Sequence, residues 1–109
     1  MNSINQIFKT MTINIQYLKM PTSESMNQYV EKRLEKLAEK FDWIIRAEVI
    51  FKLENNVYGK GNICEIELSA PGPKLFASTK ADTFEAAAKE TILDLERQLK
   101  KRKAKMTTH

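Results

Sequence analysis

With 109 residues, 42% hydrophobic and 29% charged, the chain has the composition of one small folded domain with a single modest core, not of a disordered segment. Its one cysteine, Cys64, excludes an internal disulfide framework and fits a reducing, cytoplasmic setting. The net charge of +4 is unevenly placed: residues 1–96 hold 12 Lys/Arg against 14 Asp/Glu, whereas residues 97–109 hold six cations and no acid, an asymmetry common in chains that contact phosphate or anionic lipid.

The opening MNSINQIFKT lacks the apolar centre of a secretory signal, and no apolar run approaches the roughly 20 residues needed to span a bilayer. Residues 1–10 read as a disordered extension, residues 11–105 as the folded domain and residues 106–109 as a tail. In TINIQYL, Ile13, Ile15 and Tyr17 alternate with Asn14 and Gln16, which predicts a half-buried strand. Pro21 then marks a turn, and Thr22 or Ser23 is placed to cap a helix from Glu24 to about Phe41. Met26, Val30, Leu34, Leu37 and Phe41 recur on it at helical spacing.

RAEVIFKLE predicts a second strand with Ala47, Val49, Phe51 and Leu53 on one face. Asn55 to Gly61, with two glycines and two asparagines, reads as a hairpin turn. NICEIELSA follows as a strand with Cys64, Ile66, Leu68 and Ala70 inward and an acidic outer face at Glu65 and Glu67, joined by Glu48. Pro71-Gly72-Pro73 predicts a tight turn, and KLFAST a short strand with Leu75 and Ala77 inward. Asp82, with Glu85 as capping-box partner, is the expected start of a last helix whose buried stripe is Phe84, Ala88, Ile92, Leu95 and Leu99. The expected fold is α+β, in the order β-α-β-β-β-α: a four-stranded sheet with both helices packed on one face and the first strand parallel to the second.

Few residues offer chemistry. His109 is terminal, Cys64 occupies an inward strand position, and one Cys with one His cannot assemble a zinc site, so neither an enzyme, a metal nor another cofactor is expected. Glu65 and Glu67 share a strand face but lack a histidine or metal set and read as solvated, and Gly59-Lys60-Gly61 is too short for a phosphate loop. The stretch RQLKKRKAKM is different. Cations at a helix C-terminus favour its macrodipole, but six within nine residues exceed that need, because they repel one another. Arg97, Lys100 and Lys101 fall opposite Leu95 and Leu99, with Lys89 two turns earlier and Lys105 one turn later, forming a basic ridge diluted by Glu90 and Asp94. The apolar stripe is committed to the sheet, which argues against a membrane-surface helix and favours nucleic acid gripped through phosphates. A sheet face with few exposed aromatics besides Phe76 is poorly suited to stacking single-stranded bases, so shape and backbone recognition by the helices is the consistent mode.

Several segments carry a family resemblance: MTINIQY, EKRLEKLAEKF, AEVIFKLE, the A-P-G-x-x-L-x-A hairpin from Ala70 to Ala77, and DTFEAAAKETILDLERQLKKRKAK. Its most specific part is D-[TM]-[FY]-x-A-A…L-x-R-Q-L-x-K, realised by Asp82, Thr83, Phe84, Ala86, Ala87, Leu95, Arg97, Gln98, Leu99 and Lys101. From Met11 to about Lys105 the chain resembles the short bacterial ribosome hibernation promoting factors, a family also labelled ribosome-associated inhibitor and sigma-54 modulation protein. The resemblance implies a fold related to the double-stranded RNA-binding domain. It also implies binding to the small ribosomal subunit and its rRNA in the mRNA/tRNA channel, and inhibition of translation in stationary phase by steric occlusion. It carries RNA contacts to Arg33 and Lys36 on the first helix and to Arg97 and Lys101 on the second, with Lys89, Lys100 and Lys105 joining by position. A ribosome modulation factor is a further candidate partner, and a monomer in solution is expected. The C-terminal dimerisation domain of the long family form has no counterpart in the sequence, so the chain is not expected to pair ribosomes by itself through that domain. The alternatives are a general structured-RNA-binding domain and a protein-interaction module that modulates a transcription factor.

Overall fold

The computed structural model describes residues 11–56 and 59–107. Its elements are β1 (Thr12–Tyr17), α1 (Glu24–Lys40), β2 (Arg46–Asn56), β3 (Gly59–Ser69), β4 (Leu75–Ala81) and α2 (Phe84–Thr107), the order expected from hydrophobic periodicity. They form one four-stranded sheet, β1-β2-β3-β4. β1 runs parallel to β2, as a strand pair joined through a helix does, and the two following hairpins are antiparallel.

Both helices lie on the same sheet face. Val30, Leu34, Leu37 and Ala38 of α1, Ala87, Ala88, Ile92, Leu95 and Leu99 of α2, and the inward strand residues Ala47, Val49, Phe51, Cys64, Ile66, Leu68, Leu75 and Ala77 form one buried cluster. Phe51 organises one end of it, stacked on Tyr17 with ring centroids 5.1 Å apart and meeting Phe84 edge-on at 5.4 Å. The Tyr17 hydroxyl sits between the Ser23 carbonyl at 3.0 Å and the Asn27 side-chain oxygen at 2.9 Å, tying the end of β1 to the start of α1. Thr91 is a buried polar residue in the stripe; its hydroxyl lies 2.7 Å from the Ala87 carbonyl and 3.2 Å from that of Cys64, so it is satisfied where α2 crosses β3.

Ser23 is the α1 cap, its hydroxyl accepting from the Met26 N–H, and Phe41 closes the helix with an N–H donated to the Leu37 carbonyl. At α2 the expected cap, Asp82, is displaced by its neighbour. The Thr83 hydroxyl accepts from the Ala86 N–H at 3.0 Å, while the Asp82 carbonyl is engaged by the Asn62 side chain. Glu85 therefore falls one position short of a capping-box partner.

Two further expectations change at the long hairpin. Asn55, Asn56, Gly59, Lys60 and Gly61 are paired in the β2–β3 ladder rather than turning, and residues 57–58 of the expected turn lie outside the described residues. Gly61 answers a cross-strand need instead. A Cβ there would run into the aliphatic stem of Lys80, which crosses to reach Glu54 at 2.9 Å. Leu53 shares the strand parity of Phe51 yet is 48% exposed, because the hairpin runs past β1, whose last partner on β2 is Phe51.

This contrast is measurable. Phe51→Ala should cost about 3–5 kcal/mol in urea unfolding. Leu53→Ala, in the same alternation, should cost less than about 1 kcal/mol.

Candidate nucleic-acid interface

Arg33, Lys36 and Lys40 recur on α1 at three- and four-residue spacing, which puts them along one side of that helix. Glu96, Lys100 and Lys103 do the same on α2. Because both helices bury their stripes against one sheet, these sides meet. A groove lined by Arg33, Lys36, Leu37, Lys40, Ile92, Leu93 and Glu96 continues into a notch formed by Lys40, Phe41, Lys100, Lys103 and Ala104. Arg33, Lys36 and Lys40 thus line the groove with the Glu96 carboxylate, and Lys40, which is common to both, shares the notch with Lys100 and Lys103.

Glu96 holds the two helices together at this point. Its side chain is 17% exposed, it accepts a hydrogen bond from the Lys40 ammonium at 2.8 Å, and Lys100, one turn on, lies 4.0 Å away. The Lys40 hydrogen bond, aided by the charges of Lys40 and Lys100 and opposed by burial, holds its carboxyl below the ordinary value of 4.5. Ring faces hold two other cations. The Arg33 guanidinium lies 4.8 Å from the Tyr29 centroid, and the Lys103 ammonium 5.8 Å from that of Phe41, itself braced edge-on by Trp43.

The residues singled out in the sequence do not all fall on one line. Arg33 and Lys36 line the groove, and Lys100 lines the adjoining notch, which shares Lys40 with it. Arg97 is exposed on the crest of α2, and Lys101 and Lys105 are exposed on its other flank, the side on which Gln98 donates to the Phe76 carbonyl of β4. Lys89 is exposed on the groove side, about three turns before Lys100. The expected single ridge is therefore a groove wall, a crest and an outer flank. Lys40 and Lys103 are groove residues that sequence reasoning left out. Lys40 was visible as the continuation of the Arg33–Lys36 spacing, whereas Lys103 had no signal until Phe41 and α2 were brought together. Arg102 turns away from the other cations, its guanidinium donating to the Pro71 carbonyl at 3.0 Å.

The opposite, open face of the sheet is not the acidic surface expected. Glu48 lies 3.9 Å from Arg46, Glu65 2.9 Å from Lys52, Glu67 3.8 Å from Lys74 and Glu54 2.9 Å from Lys80, so each carboxylate there faces a cation. Two of these cations, Lys52 and Lys80, come from other strands, which a reading of one strand at a time overlooks. Phe76 is the one aromatic strongly exposed among the described residues. The unbalanced positive charge lies on the second half of α2.

Cys64 is fully buried, and burial pushes its thiol up to about 12, so the nucleophilic thiolate is suppressed. Among the described residues no group of three or more His, Cys, Asp or Glu side chains could hold a metal ion, and no helix is long and apolar enough to cross a membrane. His109 lies outside the described residues.

Fold and groove together define a small α+β domain that presents a basic inter-helix face behind a charge-balanced sheet. The profile of the family described as sigma 54 modulation protein / S30EA ribosomal protein matches residues 13–107, and the chain belongs to that family. No curated protein sequence matches it. Among solved structures it is similar to a ribosomal subunit interface protein from Coxiella burnetii, at 22% identity and a TM-score of 0.76, over 85% of this chain and 98% of that one. It is also similar to the N-terminal domain of Protein Y from Thermus thermophilus, at 22% identity and a TM-score of 0.69, over 81% of this chain and 93% of that one. At that identity the likeness establishes the fold, and the resemblance read from Met11 to Lys105 is the family the profile finds.

Two predictions come from the titrating groups. A carboxyl held below its ordinary value contributes stability above that value, and the contribution is lost as pH falls through its lowered folded-state value. Glu96→Gln should therefore destabilise by about 0.2–1 kcal/mol at pH 7, and the difference from the parent should vanish on acidification below the ordinary carboxylate range; thermal melts across pH check this. Cys64 should resist iodoacetamide at pH 8 in the folded protein and be alkylated completely in denaturant, as mass spectrometry would report.

Proposed function

We propose that this chain is a non-catalytic ribosome-binding inhibitor. It occupies the mRNA/tRNA channel of the small subunit, grips rRNA phosphates through its helices, and keeps idle ribosomes from translating in stationary phase. The observation that supports this reading is the basic inter-helix face: Arg33, Lys36 and Lys40 of α1 lining a groove with Glu96, and Lys100 and Lys103 of α2 lining the adjoining notch with Lys40, in a member of a family described by a ribosomal protein. The name of the Coxiella protein, a ribosomal subunit interface protein, points the same way. Affinity for a polyphosphate backbone comes from neutralised charge and falls with salt, and a wall of ammonium and guanidinium groups fixed by ring and carboxylate contacts suits that role. Arg97, Lys101, Lys105 and Lys89 extend the grip outside the groove. The protein acts in the cytoplasm as a monomer, without a cofactor.

The reading as a general structured-RNA binder shares this chemistry and differs in predicting equal affinity for arbitrary duplex RNA. The reading as a protein-interaction module that modulates a transcription factor predicts little dependence on RNA or salt.

Sedimentation of the purified protein with bacterial ribosomes should show it comigrating with small subunits and intact ribosomes at low salt and leaving them as salt rises. Lys36→Glu with Lys100→Glu in the groove, or Arg97→Glu with Lys101→Glu on the crest and flank, should abolish comigration while circular dichroism stays unchanged. Protein left at the top of the gradient at low salt overturns the proposal, and retention equal to that on random duplex RNA replaces it with the general reading.

A further inference from the structure

Arg102 differs from the cations around it. Lys100, Lys101, Lys103 and Lys105 are exposed, whereas Arg102 is half-buried and spends its guanidinium on the protein itself. Its Nη1 donates to the Pro71 carbonyl in the β3–β4 turn at 3.0 Å. The next residue, Gly72, has φ +95°, and a Cβ there would lie 3.4 Å from that nitrogen and 3.5 Å from Cζ. Glycine is required there by the left-handed backbone of the turn, and the guanidinium lies in ordinary contact distance alongside it.

The location gives this contact its consequence. Leu99 is the last buried residue of α2 among the described residues, yet the helix continues to Thr107. Those last two turns carry five cations from Lys100 to Lys105 with no acid between them. Mutual repulsion and the ordinary fraying of helix ends both oppose their order. Two ties hold the overhang from opposite sides: Lys103 over the Phe41 ring, and Arg102 on the Pro71 carbonyl.

We propose that Arg102 is a positioning residue and not a phosphate ligand. Resting on the reading above, it fixes the overhanging turns of α2 against the β3–β4 turn, so that Lys100, Lys101 and Lys105 are presented to RNA already ordered. A planar guanidinium suits this work, because its donors keep a fixed geometry once the plane is set. Ordering the ligands before contact raises affinity without adding an ion pair. A phosphate ligand and a positioning residue thus leave different signatures. Loss of the first lowers both affinity and the slope of log K against log salt; loss of the second lowers affinity at unchanged slope.

The test compares Arg102→Gln with Lys101→Gln in two assays. In hydrogen–deuterium exchange of the free protein, Arg102→Gln should speed exchange in residues 103–107 and leave residues 84–99 at the parent rate, while Lys101→Gln should change neither. In binding to purified small ribosomal subunits across a salt series, Arg102→Gln should weaken affinity roughly three- to tenfold with the parent slope, and Lys101→Gln should reduce the slope by about 0.7–0.9. Unchanged exchange in Arg102→Gln overturns the clamp whatever the protein binds. Faster exchange with a slope loss equal to that of Lys101→Gln makes Arg102 a phosphate ligand and also overturns it. If the parent protein does not bind the subunit, the functional reading fails, and the exchange experiment still decides the clamp.

Discussion

Both helices have to bury an apolar stripe on the same face of one four-stranded sheet, and the charged features of the molecule are arranged by that requirement. Val30, Leu34 and Leu37 on α1 and Ala88, Ile92, Leu95 and Leu99 on α2 have no other surface to cover. Burying them on one side of the sheet leaves the helices alongside each other, with the end of α1 against the second half of α2. Helical spacing then carries Lys40 to Glu96 and Phe41 to Lys103. The groove is thus a by-product of core burial, with the hydrophobic effect supplying the drive and charge decorating what it leaves exposed.

The same packing separates the molecule into two electrical surfaces. On the open sheet face, a same-strand neighbour, a turn residue and two cross-strand neighbours pair four glutamates with four cations. Such exposed pairs contribute little to stability, but they cancel the field of that face. On the helical side the second half of α2 contributes cations, and Glu96 pairs with Lys40 of α1 and lies 4.0 Å from Lys100. The contrast confines the long-range field to one side, which can steer a polyanion into one orientation. Restraint matters here as well as charge. Ring contacts for Arg33 and Lys103, a carboxylate for Lys40 and a turn carbonyl for Arg102 each reduce the freedom of a long side chain before any partner arrives.

Places where the sequence misled share a cause. Leu53 obeys the alternation of its strand, but alternation reports which face a residue points to, not how far the neighbouring elements extend. Gly61 carries the mark of a turn and is instead a clearance for Lys80, a role set by a strand about twenty residues further on. Asp82 and Thr83 are both good caps, and the choice between them rests on Asn62, which engages the Asp82 carbonyl from a neighbouring strand. In each case a local signal suggested one role and a neighbour distant in sequence assigned another.

Element order, strand directions, the inward residues of each element and the family were legible in the sequence, because periods of two and 3.6 and local turn chemistry act between residues close along the chain. The excess of cations near the end was legible for the same reason. Which of those cations stand together was not. Lys103 and Lys40 join the groove, Lys101 and Lys105 go to the other flank, and Arg102 leaves the basic surface for the Pro71 turn. That division depends on how α2 is rotated against α1 and the sheet, and rotation is settled by close packing of side chains far apart in sequence.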